Sequence, residues 1–538
     1  MKNMKYKSQG KQLSFNLFES SLTELPNTNR WVQLGESLPW DKIEKIYNAK
    51  LNNRHGGAGN KPARIIIGAL LIKHKMGLSD EETIQAICEN PYMQNMLGLS
   101  EFTSKPVFDP SLFVTIRKRI GVDDFNDMSE SLLKLQVELQ EKKEKEEREK
   151  SEKKEKDENG RNDNNHPDNN CSSESRELVN TNKESSVSVD TKKDSGHSGL
   201  LKIDASCADA EVRYPTDLDL IHDGVEIMDR IIGRISAMAS VTKPKTHVKK
   251  LHSRYLNVIK LRSKPKKKVN ECKEYLLTWL GRNIYQCVDL IAKTSSEYFE
   301  KLKPRDKKLF STVIRMYEQQ KEMLRKRTHQ CANRIVSVFQ PHVRPILRGK
   351  ARNKTEFGAK IGACIVDGYT FIDHHSWDAY NECEDLMVHL RCYKQRFGEL
   401  PEKVEADKIY LNRKNRRILR LLKIEIGGKP LGRPSKEQQT KEYQELMAKN
   451  VGERNEVEAT FGTAKRIYRA NNIRAKLSDT GASWTACCYF AKNVMKFLRE
   501  LLYALILMIR KMEISVQNNE NYYGIGYPHF KYALLTRV

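Results

Sequence analysis

Cysteine is sparse in this 538-residue sequence: its eleven cysteines are scattered, and no two of them form a Cys-x-x-Cys pair. A zinc ribbon needs closely spaced cysteine pairs, and a disulfide framework needs ordered sets of cysteines in an oxidising compartment. The distribution argues against both classes and favours a protein of a reducing compartment.

Long hydrophobic runs are also lacking. No apolar run of signal-peptide length follows Met1, and the longest apolar run, residues 501–509, is closely flanked by Arg499, Glu500 and Arg510. A run this short does not span a bilayer. We therefore expect a cytoplasmic protein without a membrane partner.

Apolar and acidic residues are both in short supply. Apolar residues make up only 38% of the chain. The chain has 95 Lys and Arg but only 70 Asp and Glu, which gives a net charge of +25. Some of the length is therefore expected to stay unpacked, and the excess positive charge indicates a polyanionic partner, most often nucleic acid. Charge alone does not separate an enzyme from a basic binding protein.

Shifts in composition predict five segments. Residues 1–30 are polar and weakly patterned, and we interpret them as an N-terminal arm. Residues 31–140 read as a helical N-terminal domain, and residues 141–198 as a charged helix that frays into a disordered linker, because they carry too few apolar side chains to fold. Residues 199–515 form the predicted core, and residues 516–538 a C-terminal tail.

The N-terminal segment contains the start and stop signals of short helices. Residues 65–72 read as a buried helix, Ser79 and Glu82 have the spacing of a capping box, and Gly77 and Asn90 with its following proline mark breaks. The pattern fits a DNA-binding module and equally a helical packing domain, and the sequence leaves both open.

The core segment begins with a short apolar strand that ends at Asp204. A second strand, at residues 404–406, ends at Asp407, and between them a hairpin is predicted at 358–366 and 369–372 through Asp367 and Gly368. About 140 residues in between read as helix, including 220–238 and 307–340. Residues 423–426 are a further candidate strand, and 489–512 a final core helix.

A predicted helix carries Arg454, Glu458 and Lys465 on one face, within roughly 40° of one another at 100° per residue. Val457 and Phe461 form a neighbouring apolar stripe that would dock the helix on a core. The alternative is a solvated helix with weak i, i+4 ion pairs. Glu456 is the rival carboxylate, roughly 200° around the helix from Glu458.

These stretches together resemble the catalytic domain of the DDE transposases, in particular the insertion-sequence-five-like group of bacterial elements. The matching positions are Asp204 with Tyr214, Pro215, Thr216 and Asp217; Asp407 with Tyr410 and Asn415; Glu458 with Arg454 and Lys465; and, nearer the N-terminus, 38–41, 77–82 and 117–119. The chain departs from the pattern at Val451, where the family has a tyrosine.

The resemblance implies an α/β fold: an RNase H-like mixed-sheet catalytic core with a helical insertion at about 218–350, preceded by an all-α N-terminal domain. Its first and fourth strands would lie side by side and so bring Asp204 and Asp407 together. Asp204, Asp407 and Glu458 would be the catalytic residues and the ligands of two Mg²⁺ or Mn²⁺ ions. Asp209, Asp217 and Asp219 are less favoured, since apolar neighbours hold only Asp204 in the strand.

The implied function is a DNA transposase of a mobile element that cleaves DNA at element ends and transfers the strands into target DNA. Its partners would be double-stranded DNA, both terminal inverted repeats and target, bound by a homodimer. A nuclease of the same fold without strand transfer, and a domesticated copy that only binds DNA, are the alternatives.

Basic side chains mark the expected DNA path. Residues 243–268 hold eleven Lys or Arg and no acid, which favours a clamp on the DNA backbone over a solvated charged helix. The predicted DNA contacts are Arg454, Lys465, Lys249, Lys250, Arg254, Lys266, Lys267, Lys268, Arg416 and Arg417. His374 and His375, adjacent on a strand, point to opposite faces and are interpreted as structural or DNA-facing. Trp377, Asn381 and Glu382 recur in the family that the chain resembles, as part of a segment that opens a helix, and packing is their favoured role.

Overall fold

The structure is a computed structural model that describes Leu22 and residues 25–51, 60–159, 198–347, 355–428, 432 and 440–523. Most of the predicted arm, residues 160–197 of the predicted linker and residues 524–538 of the predicted tail lie outside the described residues. Among those described, no helix combines the length and the apolar character needed to cross a membrane.

The described part of the N-terminal region contains seven helices. Its helices are α1 (Arg30–Ser37), α2 (Trp40–Ala49), α3 (Ala63–Met76), α4 (Asp80–Glu89), α5 (Pro91–Met96), α6 (Leu112–Arg119) and α7 (Val122–Asn159). Gly77 ends α3 with a φ of 70°, a conformation that glycine adopts without strain. The capping box of Ser79 and Glu82 is confirmed, and α7 extends the charged helix to Asn159.

The core contains a six-stranded mixed sheet. Its strands are β1 (Leu200–Asp209), β2 (Arg344–Leu347), β3 (Thr355–Val366), β4 (Tyr369–Ser376), β5 (Lys403–Ala406) and β6 (Glu425–Ile426). The order is β2-β3-β1-β5-β6, with β4 also paired to β3. Strand β1 runs antiparallel to β3 and parallel to β5. A mixed sheet with helices, in this order, fits an α/β RNase H-like core.

The hairpin predicted between β3 and β4 is confirmed. Val366 pairs with Tyr369, and the two turn residues, Asp367 and Gly368, have φ angles of 49° and 75°. Positive φ at both positions is the geometry of a two-residue type I′ turn, whose twist matches that of the strands. A register shift between Gly362 and Ala363 interrupts the pairing farther along.

A helical insertion separates β1 from β2. It consists of α8 (Asp217–Met238), α9 (Val248–Ile259), α10 (Lys266–Thr294), α11 (Ser296–Glu300) and α12 (Pro304–Lys326), and these helices bury a hydrophobic cluster of their own. The helix predicted over 307–340 is too long: α12 ends at Lys326 because Arg327 adopts a left-handed conformation, φ 50°. The chain from there to β2 is irregular.

The remaining helices are α13 (Leu386–Phe397), α14 (Arg413–Leu421), α15 (Lys441–Arg466) and α16 (Ser478–Tyr523). Helix α16 starts earlier and ends later than the predicted 489–512, and it runs past residue 516, where the predicted tail begins. It contacts α3, α6, α7 and β4. N-terminal helices and sheet consequently share one hydrophobic core, so the boundary predicted near residue 140 does not separate two cores.

Two buried asparagines join these helices to β4. Asn126 on α7 donates to the carbonyl of Ile372 and accepts from its N–H, and Asn493 on α16 does the same with Thr370. An edge strand otherwise leaves backbone donors and acceptors unpaired. The side-chain amides satisfy them and fix the sheet relative to the N-terminal helices.

Candidate active site

Asp204 and Asp407 lie at neighbouring positions of the sheet. Leu201 pairs with Val404 and Ile203 with Ala406 in the parallel β1–β5 register, so each aspartate is the next residue beyond the last pair. The predicted adjacency of these two strands is therefore confirmed. Each aspartate also accepts a hydrogen bond from the backbone N–H of the residue that follows it, 2.8 Å for Asp204 and 2.7 Å for Asp407, which orients both carboxylates.

Helix α15 brings the third predicted carboxylate to the same region. Val457 and Phe461 are buried in the main core, as the apolar stripe predicts, and the helix contacts both β1 and β5. Arg454 Nη1 lies 2.9 Å from Asp407 Oδ1, and its Nη2 lies 3.4 Å from Glu458 Oε1. The Arg454 guanidinium thus joins Asp407 and Glu458.

The rival glutamate is engaged elsewhere. Glu456 Oε2 accepts from Lys202 Nζ at 2.7 Å, a contact with β1 on the other side of the helix from Glu458. Of the less favoured aspartates, Asp217 pairs with Lys273 and Arg334, and Asp219 accepts from the Tyr255 hydroxyl. These contacts are consistent with structural roles for Asp217 and Asp219.

Burial, together with nearby negative charges, raises the pKa of Asp204 to about 6. Burial is the largest cause, and the negative charges of Glu382 and Asp407 add to it, while the Ala205 N–H and Arg454 oppose it. A cation bound between these carboxylates would relieve this repulsion. The site therefore has the charge and the hard oxygen donors that a divalent cation such as Mg²⁺ or Mn²⁺ requires.

The three predicted ligands are not drawn into one closed cluster. Among the described residues, the sets of three donor atoms that all lie within 4.8 Å of one another involve other side chains, and the Arg454 guanidinium occupies the position between Asp407 and Glu458. Shared coordination of an ion by all three would require Arg454 to move and Glu458, whose side chain is 65% exposed, to close on the aspartates.

Glu382 is a member of this site that the sequence interpretation treated as packing. It lies in a 3-10 turn, Glu382–Glu384, close enough to Asp204 to raise its pKa, and Lys360 on β3 holds it with an Nζ–Oε1 distance of 2.9 Å. The only signal in the sequence was its recurrence in the resembling family, together with Trp377 and Asn381. Trp377 does pack, with its indole donating to the Ser478 carbonyl.

Asn415 and Tyr410 hold the loops of the site together. The Asn415 side-chain amide is buried and donates to the carbonyls of Cys383 and Tyr410, each at 2.7 Å. It thereby joins the turn that carries Glu382 to the segment that follows Asp407. The Tyr410 hydroxyl is buried, has no hydrogen-bond partner among the described residues, and its pKa is raised by burial and by nearby negative charges, including those of Glu382 and Asp204.

The two adjacent histidines on β4 have different surroundings. His374 Nδ1 lies 2.8 Å from Asp385 Oδ1, and its ring stacks on Tyr380. His375 contacts the Trp377 ring, and burial lowers its pKa to about 4. These separate partners agree with the expectation that the two rings face different directions.

The predicted DNA contacts differ in exposure. On the insertion, Lys249, Lys250 and Arg254 of α9 and the three lysines 266–268 at the start of α10 are exposed. On α14, Arg417 is exposed, but Arg416 is only 8% exposed and its Nε donates to the Leu411 carbonyl at 2.9 Å. Arg416 therefore supports the loop after Asp407 and is corrected from a DNA contact to a structural residue. Arg454 and Lys465 are half-buried.

Asp204 lies within β1, which continues past the predicted end to Asp209, and Asp407 directly follows the neighbouring β5. Glu458 lies on the helix that contacts both strands, and this arrangement fits an RNase H-like core. Comparison with known families agrees: residues 20–119 match the family described as "Transposase domain (DUF772)", and residues 404–494 match the "Transposase DDE domain". The second match contains Asp407 and Glu458. Both matches are to domains of transposases, and the second supports a DDE domain in the core.

One curated relative is similar over part of its length. The "Uncharacterized protein ORF8 in nfe locus" of Rhizobium meliloti is 32% identical over 123 residues, which cover 23% of this chain and 56% of the relative. The chain thus matches about half the length of that protein. No solved structure matches the chain.

Proposed function

We propose that this chain is a transposase of the insertion-sequence-five-like group, which cleaves DNA at the ends of a mobile element and joins the resulting 3′-hydroxyls to target DNA. The observation that supports the proposal is that three carboxylates from separate elements lie in one region of the core, without forming a closed cluster. Asp204 and Asp407 follow paired positions of adjacent strands, and Arg454 contacts both Asp407 and Glu458.

Asp204, Asp407 and Glu458 would hold two Mg²⁺ or Mn²⁺ ions, which when bound activate the attacking oxygen and stabilise the leaving oxygen. Glu382 and Asp407 add the negative charge that favours a cation beside Asp204. Arg454 neutralises Asp407 and Glu458 in the structure described here, and once released from them its guanidinium is able to hold a phosphate oxygen of the DNA.

Exposed and half-buried basic side chains would bind the DNA backbone around this site. The proposed contacts are Arg454, Lys465, Lys249, Lys250, Arg254, Lys266, Lys267, Lys268 and Arg417. Because such contacts release counterions, affinity should fall steeply with salt concentration. We propose that the helices of residues 31–140 add to the binding of element ends, and that two copies of the chain act together on a pair of ends.

The test is strand cleavage and joining on labelled end DNA with Mg²⁺, beside a binding assay. Asp204→Asn, Asp407→Asn and Glu458→Gln keep the side-chain shape and remove the charge, so DNA binding should survive while cleavage and joining fall by orders of magnitude. Glu456→Gln is the matched control on α15, because its carboxylate pairs with Lys202, and it should retain most of the activity.

The outcomes separate the proposal from its alternatives. Cleavage without joining, in wild-type protein supplied with target DNA, would identify a nuclease of the same fold. DNA binding without cleavage at any divalent ion would identify a domesticated binding protein. Full activity of Glu458→Gln, with loss of activity in Glu456→Gln, would show that the wrong carboxylate on α15 is assigned to catalysis.

A further inference from the structure

A second group of metal-ligating side chains lies in the helical insertion, away from the acidic site. It consists of His222 and Glu226 on α8 and His252 on α9, whose donor atoms all lie within 4.8 Å of one another. His222 Nε2 is 2.9 Å from His252 Nδ1 and 3.7 Å from Glu226 Oε1. We propose that these three residues bind one Zn²⁺ ion, which fastens α9 to α8.

The distances fit a tetrahedral ion. With ligand bonds of about 2.0–2.1 Å, two ligand atoms of a tetrahedral zinc site lie about 3.3 Å apart. The two separations at His222, 2.9 Å and 3.7 Å, fall on either side of that value, and the donor atoms of His252 and Glu226 lie within 4.8 Å of each other. Two imidazoles and a carboxylate are a ligand set that zinc accepts, and the fourth position is left for water.

A zinc ion would take the place of the hydrogen bond between the His222 and His252 rings. The two imidazole nitrogens that face each other at 2.9 Å require one ring to donate an N–H and the other to accept it. For an ion to take the lone pairs of both nitrogens, the ring that donates must first carry its proton on its other nitrogen instead. Only neutral imidazoles bind the ion, and a protonated ring must first lose a proton to water, so affinity should rise as the pH rises.

The site has a rigid side and an open side. His222 is buried, its ring stacks on Tyr255 at a centroid distance of 4.2 Å, and the Tyr255 hydroxyl donates to Asp219. Such outer contacts orient a ligand before the metal arrives. Glu226 and His252 are exposed, which gives an ion access from solvent.

The consequence concerns the position of α9. His252 is the only one of the three ligands on that helix, and it lies between Lys249 and Lys250 on one side and Arg254 on the other, all of them exposed. An ion that joins His252 to α8 would restrain the helix that carries these three basic side chains. This link to DNA rests on the proposed function, whereas ion binding does not.

The binding experiment uses the full chain without an affinity tag, stripped with a chelator and titrated with Zn²⁺, or with Co²⁺ as a spectroscopic substitute. Excess Mg²⁺ is present throughout to occupy the acidic site. Wild type should bind one ion and show cobalt absorption in the visible range without the charge-transfer bands of a cysteine ligand. Zn²⁺ should also raise the midpoint of thermal unfolding, because it binds the folded form.

Three variants decide the assignment. His252→Asn and Glu226→Gln, both at exposed positions, should each weaken Zn²⁺ affinity by more than about 100-fold, since loss of a ligand's outer partner alone costs about 10–100-fold. His329→Asn, a histidine of the same insertion with an 83% exposed side chain, should bind like wild type. Equal stoichiometry and affinity in wild type and His252→Asn would overturn the site.

The link to DNA has its own readout. Binding of a duplex of arbitrary sequence is measured with and without Zn²⁺, because contacts to the DNA backbone do not depend on sequence. Zn²⁺ should increase the affinity of wild type several-fold and leave that of His252→Asn unchanged. Zn²⁺ binding with no effect on DNA affinity would overturn the role in the clamp, and loss of all DNA binding would contradict the proposed function instead.

Discussion

Arg454 forms an ion pair with Asp407, with 2.9 Å between Nη1 and Oδ1, and so places a cation at the end of β5 where the proposed chemistry needs one. The same guanidinium contacts Glu458 through its second nitrogen. Without it, the two carboxylates would repel each other across a short distance. Arg454 therefore holds Asp407 and Glu458 near each other, a role that a bound divalent ion would take over.

Arg454→Gln should destabilise the protein in a chelating buffer and much less in excess Mg²⁺, since a bound ion supplies the missing charge. The loss without ions is expected to be about 1 kcal/mol or less, because the side chains of Arg454 and Asp407 are a third or more exposed. Thermal unfolding in both buffers measures it. An equal loss in the two buffers would mean that Arg454 stabilises by packing rather than by charge.

Asp204→Asn should stabilise the folded protein at neutral pH. The pKa of Asp204 is raised from 3.8 to about 6, so the folded state binds a proton more tightly than the unfolded state, and the stability from that group is present below pH 4 and lost as the pH rises through 6. The gain at pH 7 is expected to be at most about 3 kcal/mol. Denaturant unfolding at pH 4 and pH 7 should show the difference between variant and wild type only at the higher pH.

Glu382→Gln should lower the pKa of Asp204, because Glu382 is among the charges that raise it. If ionised Asp204 is required for cleavage, the acid limb of the pH–rate profile moves to lower pH in the variant. Glu384→Gln, in the same turn and exposed, is the control and should leave the limb in place. A shift of equal size in both variants would contradict a specific contact with Asp204.

Asn415→Ala should cost about 2 kcal/mol or more, because it leaves the carbonyls of Cys383 and Tyr410 without their buried donor. It should also reduce cleavage more than DNA affinity, since Asn415 joins the turn of Glu382 to the loop after Asp407. Lys414→Ala, exposed on the same helix, is the stability control and should stay within about 0.5 kcal/mol of wild type. Denaturant unfolding and a cleavage assay measure the two effects.

Arg416→Ala and Arg417→Ala should affect different properties, protein stability in the first case and DNA binding in the second. Arg416 is buried and donates to the Leu411 carbonyl, so its loss should lower stability, whereas Arg417 is exposed, so its loss should weaken DNA binding and reduce the dependence of affinity on salt. Unfolding midpoints and salt titrations of binding separate the two. Normal stability in Arg416→Ala would restore it as a candidate DNA contact.

Local chemistry made several features predictable. Asp367 and Gly368 specify a turn because both positions need positive φ, and Ser79 with Glu82 specifies a helix start because the two side chains satisfy each other's backbone donors. The burial of Val457 and Phe461 follows from helical periodicity. Asp407 was recognisable as the end of a strand, whereas the strand predicted to end at Asp204 continues to Asp209. The adjacency of the two aspartates came from the family resemblance and not from spacing.

What the sequence by itself determined is thus the type and order of most elements and a few of their boundaries, such as the β3–β4 turn and the start of α4, since these depend on neighbours within a few positions. The end of α12, the burial of Arg416, the approach of Glu382 to Asp204 and the meeting of His222 with His252 were decided only by tertiary structure. Each of these depends on how elements distant in the chain pack, and packing sets burial, distance and charge together.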